Sequence, residues 1–180
     1  MTKKIWITGA SSGIGRALAI KFAQEGWQVA ASARRESLLE ILNKNNSNIH
    51  SFPLDITNLE NTKDVFQKII KKLSEINLCV FSTGIYDPKT EREINEKQIR
   101  TVMEVNFFGT VNCIKAVEKY FKEKKKWPYL YCFFRSWVQR TTKLNFLWTI
   151  KISFEYIGGN FVLLFQKIKC SNLLSISRIY

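Results

Sequence analysis

Apolar residues along the first two thirds of the chain alternate between short runs and helical stripes. Ile5-Trp6-Ile7, too short for a helix, leads straight into Thr8-Gly9-Ala10-Ser11-Ser12-Gly13-Ile14-Gly15. Over residues 12–25, Ile14, Leu18, Ile20, Phe22 and Ala23 recur among Arg16, Lys21, Gln24 and Glu25, the spacing of a helix with one face on a sheet. Gly26 closes it. Residues 28–33 read as a buried strand of small side chains, and 36–45 as a short helix carrying Leu38, Leu39, Ile41 and Leu42. After the polar turn 45–48, residues 49–57 read as a strand running into a helix cap. Val65, Phe66, Ile69, Ile70 and Leu73 mark an amphipathic helix over 58–74, and Leu78-Cys79-Val80-Phe81 a fourth strand. Residues 86–95 form a charged loop with Pro88. A long helical pattern fills 96–120, interrupted by Asn106 and Asn112. Buried asparagine needs partners for its amide, so Asn106 is expected to anchor a backbone kink or a water, or else to lie on an exposed face. Four βα units with short connections predict an α/β fold: a Rossmann-like, doubly wound parallel sheet.

The chemistry sits at the strand ends. Gly9, Gly13 and Gly15 follow a strand and precede a helix, the context a dinucleotide fingerprint requires; free N–H groups opening that helix near Ser12 suit a pyrophosphate. The bland alternative is a tight turn chosen for geometry alone. The second strand delivers Ser32, Arg34 and Arg35 to its C-terminal edge, where an acid would prefer a ribose 2′-hydroxyl and arginine accommodates a 2′-phosphate. No acid stands there, since Glu36 falls beyond it, so the reading favours NADP over NAD unless both arginines merely face solvent. Asp55 is expected either near an adenine, with Leu54 and Ile56 as apolar neighbours, or capping the next helix. His50 reads as structural. Ser82-Thr83-Gly84 is a polar turn facing the cofactor edge.

Composition narrows this picture only a little. The chain has 180 residues, enough for one domain, and a formal charge of +13 with 28 Lys and Arg against 15 Asp and Glu. The basic residues are scattered or grouped in 122–126, with no zinc spacing or aromatic-interleaved patch, so a specific nucleic-acid module is not expected. Cys79, Cys113, Cys132 and Cys170 form no CxxC pair, so no metal site or disulfide framework is indicated. The N-terminus carries no signal-peptide pattern, and a cytoplasmic location is expected.

With these motifs in place, the chain resembles the short-chain dehydrogenase/reductase family over residues 3–126. The resemblance rests on Thr8 to Gly15, Arg34 after the second strand, Asp55-Ile56-Thr57 and Val105-Asn106. It implies NADP(H) or NAD(H) across the sheet edge, bound by Gly9, Ser11, Ser12, Gly13, Ile14, Gly15, Arg34, Asp55, Ile56 and Gly84. It also implies Asp55 near the adenine and Asn106 as a catalytic residue holding a water in a proton relay. The family's Asn-Asn-Ala-Gly is Phe81-Ser82-Thr83-Gly84 here, which is expected to loosen support beneath the cofactor. The implied substrate of an intact relative is a small alcohol or carbonyl compound.

The same resemblance requires a fifth strand ending in serine and a helix with tyrosine and lysine four apart, the pair that exchanges a proton while hydride moves. Tyr120 and Lys124 have that spacing but precede the fifth strand. Tyr156 is followed at that distance by Asn160, and Ser136 and Ser153 lack a strand-end context. Residues 127–180 instead hold thirteen aromatics and one acid, Glu155, against seven basic residues. Arg135, Arg140, Lys143, Lys151, Lys167 and Lys169 interrupt every possible membrane span. Back-translation from Trp127 with one base skipped forces glycines at Trp127, Trp137 and Trp148. It permits a serine strand and a Tyr-Gly-Pro-Ser-Lys helix in the family's order. The tail therefore reads as frameshifted after the Lys124 to Lys126 run. It is expected not to build the fifth to seventh strands or the usual oligomer face, leaving the chain inactive; a noncatalytic dinucleotide-binding or interaction protein is the alternative.

Overall fold

A computed structural model describes residues 2–85, 95–124, 129–132, 148–157 and 160–169, with side chains described as far as residue 124. The first four strands, β1 (Lys4–Thr8), β2 (Gln28–Ala33), β3 (Ile49–Pro53) and β4 (Leu78–Phe81), pair in the order β3-β2-β1-β4, all parallel. Between them run α1 (Gly13–Gln24), α2 (Glu36–Asn45) and α3 (Leu59–Leu73). The predicted boundaries agree to within a residue or two, except that the third strand ends at Pro53 and the turn takes over before Asp55.

Strand alternation explains why the sequence runs are almost wholly apolar. Ile5 and Ile7 of β1, Val29 and Ala31 of β2, and Leu78 and Val80 of β4 point to one face, under Leu18, Phe22, Leu39 and Leu42 of α1 and α2. Trp6, Ala30, Cys79 and Phe81 point to the other, under Phe66 and Ile69 of α3 and Val117 and Phe121 farther along. A parallel sheet covered on both faces has no solvent side, so its strands carry no polar alternation. Trp6 centres the second layer, 5.4 Å from the Phe66 ring and 5.2 Å from Phe81, and its indole N–H donates to Ser32 Oγ at 2.9 Å. Phe66→Ala would remove a fully buried ring from this layer and cost about 3–5 kcal/mol.

The long C-terminal helical pattern divides into α4 (Glu96–Met103), a π-helical turn (Glu104–Phe108) and α5 (Gly109–Lys124). Asn58 and Asn95 cap α3 and α4, accepting from the backbone N–H groups of Asn61 and Gln98. The break falls on Asn106, one of the three alternatives expected there. The charged loop read over 86–95 lies, except for Asn95, outside the described residues.

The tail corrects one expectation. It contributes three strands: β5 (Tyr129–Cys132) parallel to β4, then β6 (Trp148–Ile157) and β7 (Asn160–Lys169), both antiparallel. Aromatic and β-branched residues suit strands, and ladder bonding needs only backbone groups. Among the described residues of the tail, β6 and β7 depart from the parallel pairing of the strands before them. Ser153, Tyr156 and Trp148 lie in β6; Trp127, Ser136, Trp137 and the pair Gly158-Gly159 lie outside the described residues.

Candidate functional site

Strand order reverses between β1 and β4, and in an open parallel sheet the crevice beyond the carboxyl ends at such a point receives ligands. A cavity of about 760 Å³ opens there. Gly9, Ser11, Ser12, Gly13, Ile14 and Gly15 line it from the turn after β1, Arg34 from the end of β2, Asp55 and Ile56 from the turn after β3, and Gly84 from the loop after β4. All ten residues expected to contact a dinucleotide therefore share one cavity. Ala33, Arg35, Leu54, Ser82, Thr83, Ile85 and Val105 complete the lining.

The glycine turn is shaped by contact. Gly9 has φ +72°, and a Cβ there would lie 2.8 Å from the Ser82 carbonyl, so β1 and β4 come together only around a residue without a side chain. Gly13 has φ +56°, but a Cβ on it would meet nothing within 4 Å, which leaves open space at the mouth of α1.

Serine and threonine stand where the resemblance expects asparagines, and the serine is bonded into this floor. Ser82 Oγ donates to Thr8 O at 2.6 Å and lies 2.5 Å from where a Gly15 Cβ would be. The hydroxyl thus ties the end of β4 to the end of β1 directly beneath the turn. Beside it, Thr83 Oγ1 is buried with no partner, as is Thr8 Oγ1.

The electrostatics favour an anion. Ser12 stands at the N-cap of α1 but makes no capping bond, and the first turn of that helix holds no acid. Its Oγ instead accepts from Arg35 Nη2 at 2.7 Å, while Ser11 Oγ accepts from Nη2 at 3.0 Å and Nε at 3.3 Å. The helix therefore opens with unsatisfied N–H groups and a guanidinium beside them. Of the two arginines, it is Arg35 that bonds the turn. Asp55 serves its turn: its Oδ1 accepts from Thr57 N at 3.0 Å and Thr57 Oγ1 at 2.8 Å. This oxygen thus belongs to the turn leading into α3, whose cap is Asn58, and the residue still lines the cavity.

Asn106 lies just behind the lining, 9% exposed. Its Oδ1 accepts from Ile85 N at 2.8 Å and its Nδ2 donates to Ile85 O at 2.9 Å, so both amide ends are committed to one backbone unit. Its own carbonyl accepts from Thr110 Oγ1 at 2.9 Å. π-Helical turns recur at functional sites, and this one turns Asn106 towards the loop after β4.

Two other residues are away from the cavity. His50 Nε2 donates to Gln28 Oε1 at 2.7 Å on edge strand β3, and burial, then the charge of Lys72, lowers its pKa from the ordinary 6.5. Tyr120 packs edge-on against Phe66 in the second core layer; burial chiefly raises its pKa, and Lys124 Nζ is 5.8 Å from its ring. That pair has the spacing of a catalytic tyrosine and lysine in the wrong place. Among the described residues no cluster of His, Cys, Asp or Glu suits a metal, and no helix is long and apolar enough to cross a membrane.

Comparison with known proteins agrees with this geometry. Residues 3–127 match the family model described as short chain dehydrogenase. Over 134 residues the chain is 36% identical to a dehydrogenase/reductase SDR family protein 7-like of Dictyostelium discoideum, covering 67% of this chain and 42% of that protein. It is 32% identical over 118 residues to an NADPH-dependent 1-acyldihydroxyacetone phosphate reductase of Schizosaccharomyces pombe, covering 64% and 39%. The chain thus spans less than half the length of these relatives. Among solved structures, an alcohol dehydrogenase from the archaeon Thermococcus sibiricus, complexed with 5-hydroxy-NADP, superposes with a TM-score of 0.62 at 25% identity, covering 72% of this chain and 57% of that one.

Proposed function

The chain belongs to the short-chain dehydrogenase family of oxidoreductases, and from that premise we propose that it retains a site for a nicotinamide dinucleotide, NADP(H) ahead of NAD(H), but lacks the residues for turnover. One observation carries the cofactor reading: the Arg35 guanidinium is bonded to the Ser11 and Ser12 hydroxyls beside the uncapped start of α1. A pyrophosphate would meet the α1 N–H groups, and a 2′-phosphate would meet Arg35 and Arg34 at the end of β2. Leu54, Asp55 and Ile56 would flank the adenine, and Gly84, Ile85 and Val105 would lie towards the other end. The orphaned Thr83 hydroxyl supports the fit, since a turn of χ1 would offer it to a ligand oxygen. The name of the fission-yeast relative, an NADPH-dependent reductase, agrees with the preference.

A bound nicotinamide supplies hydride exchange with an alcohol or carbonyl carbon. The chain must then move a proton, and here its residues fall short. Tyr120 is the one tyrosine with lysine four residues on, and it is half-buried against the core with a raised pKa. Asn106, with its amide committed to Ile85, serves as a positioning residue for the loop after β4. The frameshift reading of the tail accounts for the missing serine and tyrosine-lysine pair. The test is NADPH oxidation by the purified 180-residue chain across aldehydes and ketones, beside the product of the gene with one base removed from the Lys124 to Lys126 codons. No oxidation above buffer by the first and clear oxidation by the second is the expected result; ready reduction by the 180-residue chain contradicts it.

Exposed Met103, Phe107 and Phe108 favour a second reading, a noncatalytic interaction protein. It requires that the restored gene product also be inactive.

A further inference from the structure

We propose that Asn112 is a positioning residue for the adenosine end of the bound dinucleotide, an inference that rests on the cofactor reading above. Asn112 lies on α5, away from the cavity lining, yet its Nδ2 donates to Ile56 O at 3.0 Å and Thr57 O at 3.2 Å, across more than fifty residues of chain. Those carbonyls belong to the turn that puts Asp55 and Ile56 on the cavity wall next to the end of β2. Because β3 and β2 form this side of the sheet, it is the adenosine side.

The turn is restrained from several sides, among them a backbone bond from Asn58 N to Asp55 O at 3.3 Å. Leu54 N donates to Ala33 O at 3.0 Å, which joins its start to β2. Asp55 Oδ1 gathers Thr57 N and Oγ1 from inside. Asn112 holds the Ile56 and Thr57 carbonyls from the helix side, a bond between the turn and another layer. Packing reinforces that contact: a Cβ on Gly109, one turn earlier in α5, would lie 2.6 Å from Ile56 Cγ1. The π-helical turn ends at Phe108, so it sets the rotation at which α5 presents both Gly109 and Asn112 to Ile56. Asparagine at position 112, which only interrupts an apolar pattern in the sequence, thereby fixes the height of Ile56 and the orientation of Asp55 without touching the ligand.

The experiment compares wild type, Asn112→Leu and Asn112→Asp as full chains, by calorimetric titration with NADPH and with 2′,5′-ADP, the fragment that carries only the adenosine end. Leucine keeps the bulk and removes the donors; aspartate keeps the shape and sets a carboxylate against two carbonyls. Asn112→Leu is expected to weaken both ligands by a shared factor of about five to ten. Asn112→Asp is expected to bind poorly near pH 8 and to recover towards about pH 5, where a protonated carboxyl donates to one carbonyl. A merely structural role would lower the melting temperature and leave the affinities and their pH profile unchanged. If Asn112→Leu does not fold, the pH dependence of Asn112→Asp carries the test. Folded variants that bind 2′,5′-ADP within about twofold of wild type at both pH values overturn the inference. A wild-type chain that binds neither ligand contradicts the cofactor reading itself, a separate and recognisable result.

Discussion

Asn106 and Ile85 exchange two hydrogen bonds, side-chain amide against backbone amide, at 2.8 and 2.9 Å. Each satisfies the other, so the loop after β4 is fixed to the π-helical turn at one point. Asn106→Leu would leave both polar groups of Ile85 without that partner and should destabilise the fold by about 2–3 kcal/mol, measured by urea unfolding. Asn106→Asp keeps the acceptor for Ile85 N but opposes the Ile85 carbonyl, and should fall between wild type and leucine.

Arg35 is expected to set cofactor choice. Removing its guanidinium in Arg35→Ala should weaken NADPH by about tenfold or more, with a smaller effect on NADH, because a charge-assisted contact to phosphate contributes about 1.5–3 kcal/mol. Binding titrations with both nucleotides check this. An equal loss for both would assign Arg35 to the turn rather than to the 2′-phosphate.

Among the described residues two buried hydroxyls, those of Thr8 and Thr83, have no partner. Thr8→Val should stabilise the free chain by about 1 kcal/mol, since it replaces a fully buried, unbonded hydroxyl on a strand with a methyl of the same shape. Thr83→Val should do the same for the free chain and also weaken NADPH severalfold. Melting temperatures with and without NADPH separate the two effects.

How much of this was legible in the sequence depends on the range of the interaction. The four parallel strands and their helices could be read because both sheet faces are buried, so Ile5, Trp6 and Ile7 and their counterparts carry the pattern locally. The ten cavity residues followed from strand ends and glycines together with the family resemblance. The kink at Asn106 announced itself as an amide in an apolar stripe. The bonding of Arg35 to Ser11 and Ser12 is tertiary, set by the pairing of β1 with β2, and gave no sign in the order of residues. Nor did the Ser82 hydroxyl, whose bond to Thr8 joins positions 74 residues apart. The strand Tyr129–Cys132 escapes a reading by composition, because strand pairing constrains side chains weakly.

His50 makes the pH response specific. Its pKa in the fold lies below the ordinary 6.5 it regains on unfolding, so below that value the unfolded chain binds more protons. The contribution is absent at neutral pH and turns destabilising as the pH falls through the 6.5 region. His50→Gln should therefore lose less stability than wild type between about pH 7 and pH 5, as thermal melts across that range will show.

The central claim, that the glycine-rich half still holds a dinucleotide, is tested most directly by calorimetric titration of the purified 180-residue chain with NADPH. Saturable binding of one NADPH per chain, tighter than NADH under the same conditions, is the expected result. No saturable heat from a folded chain would contradict the account.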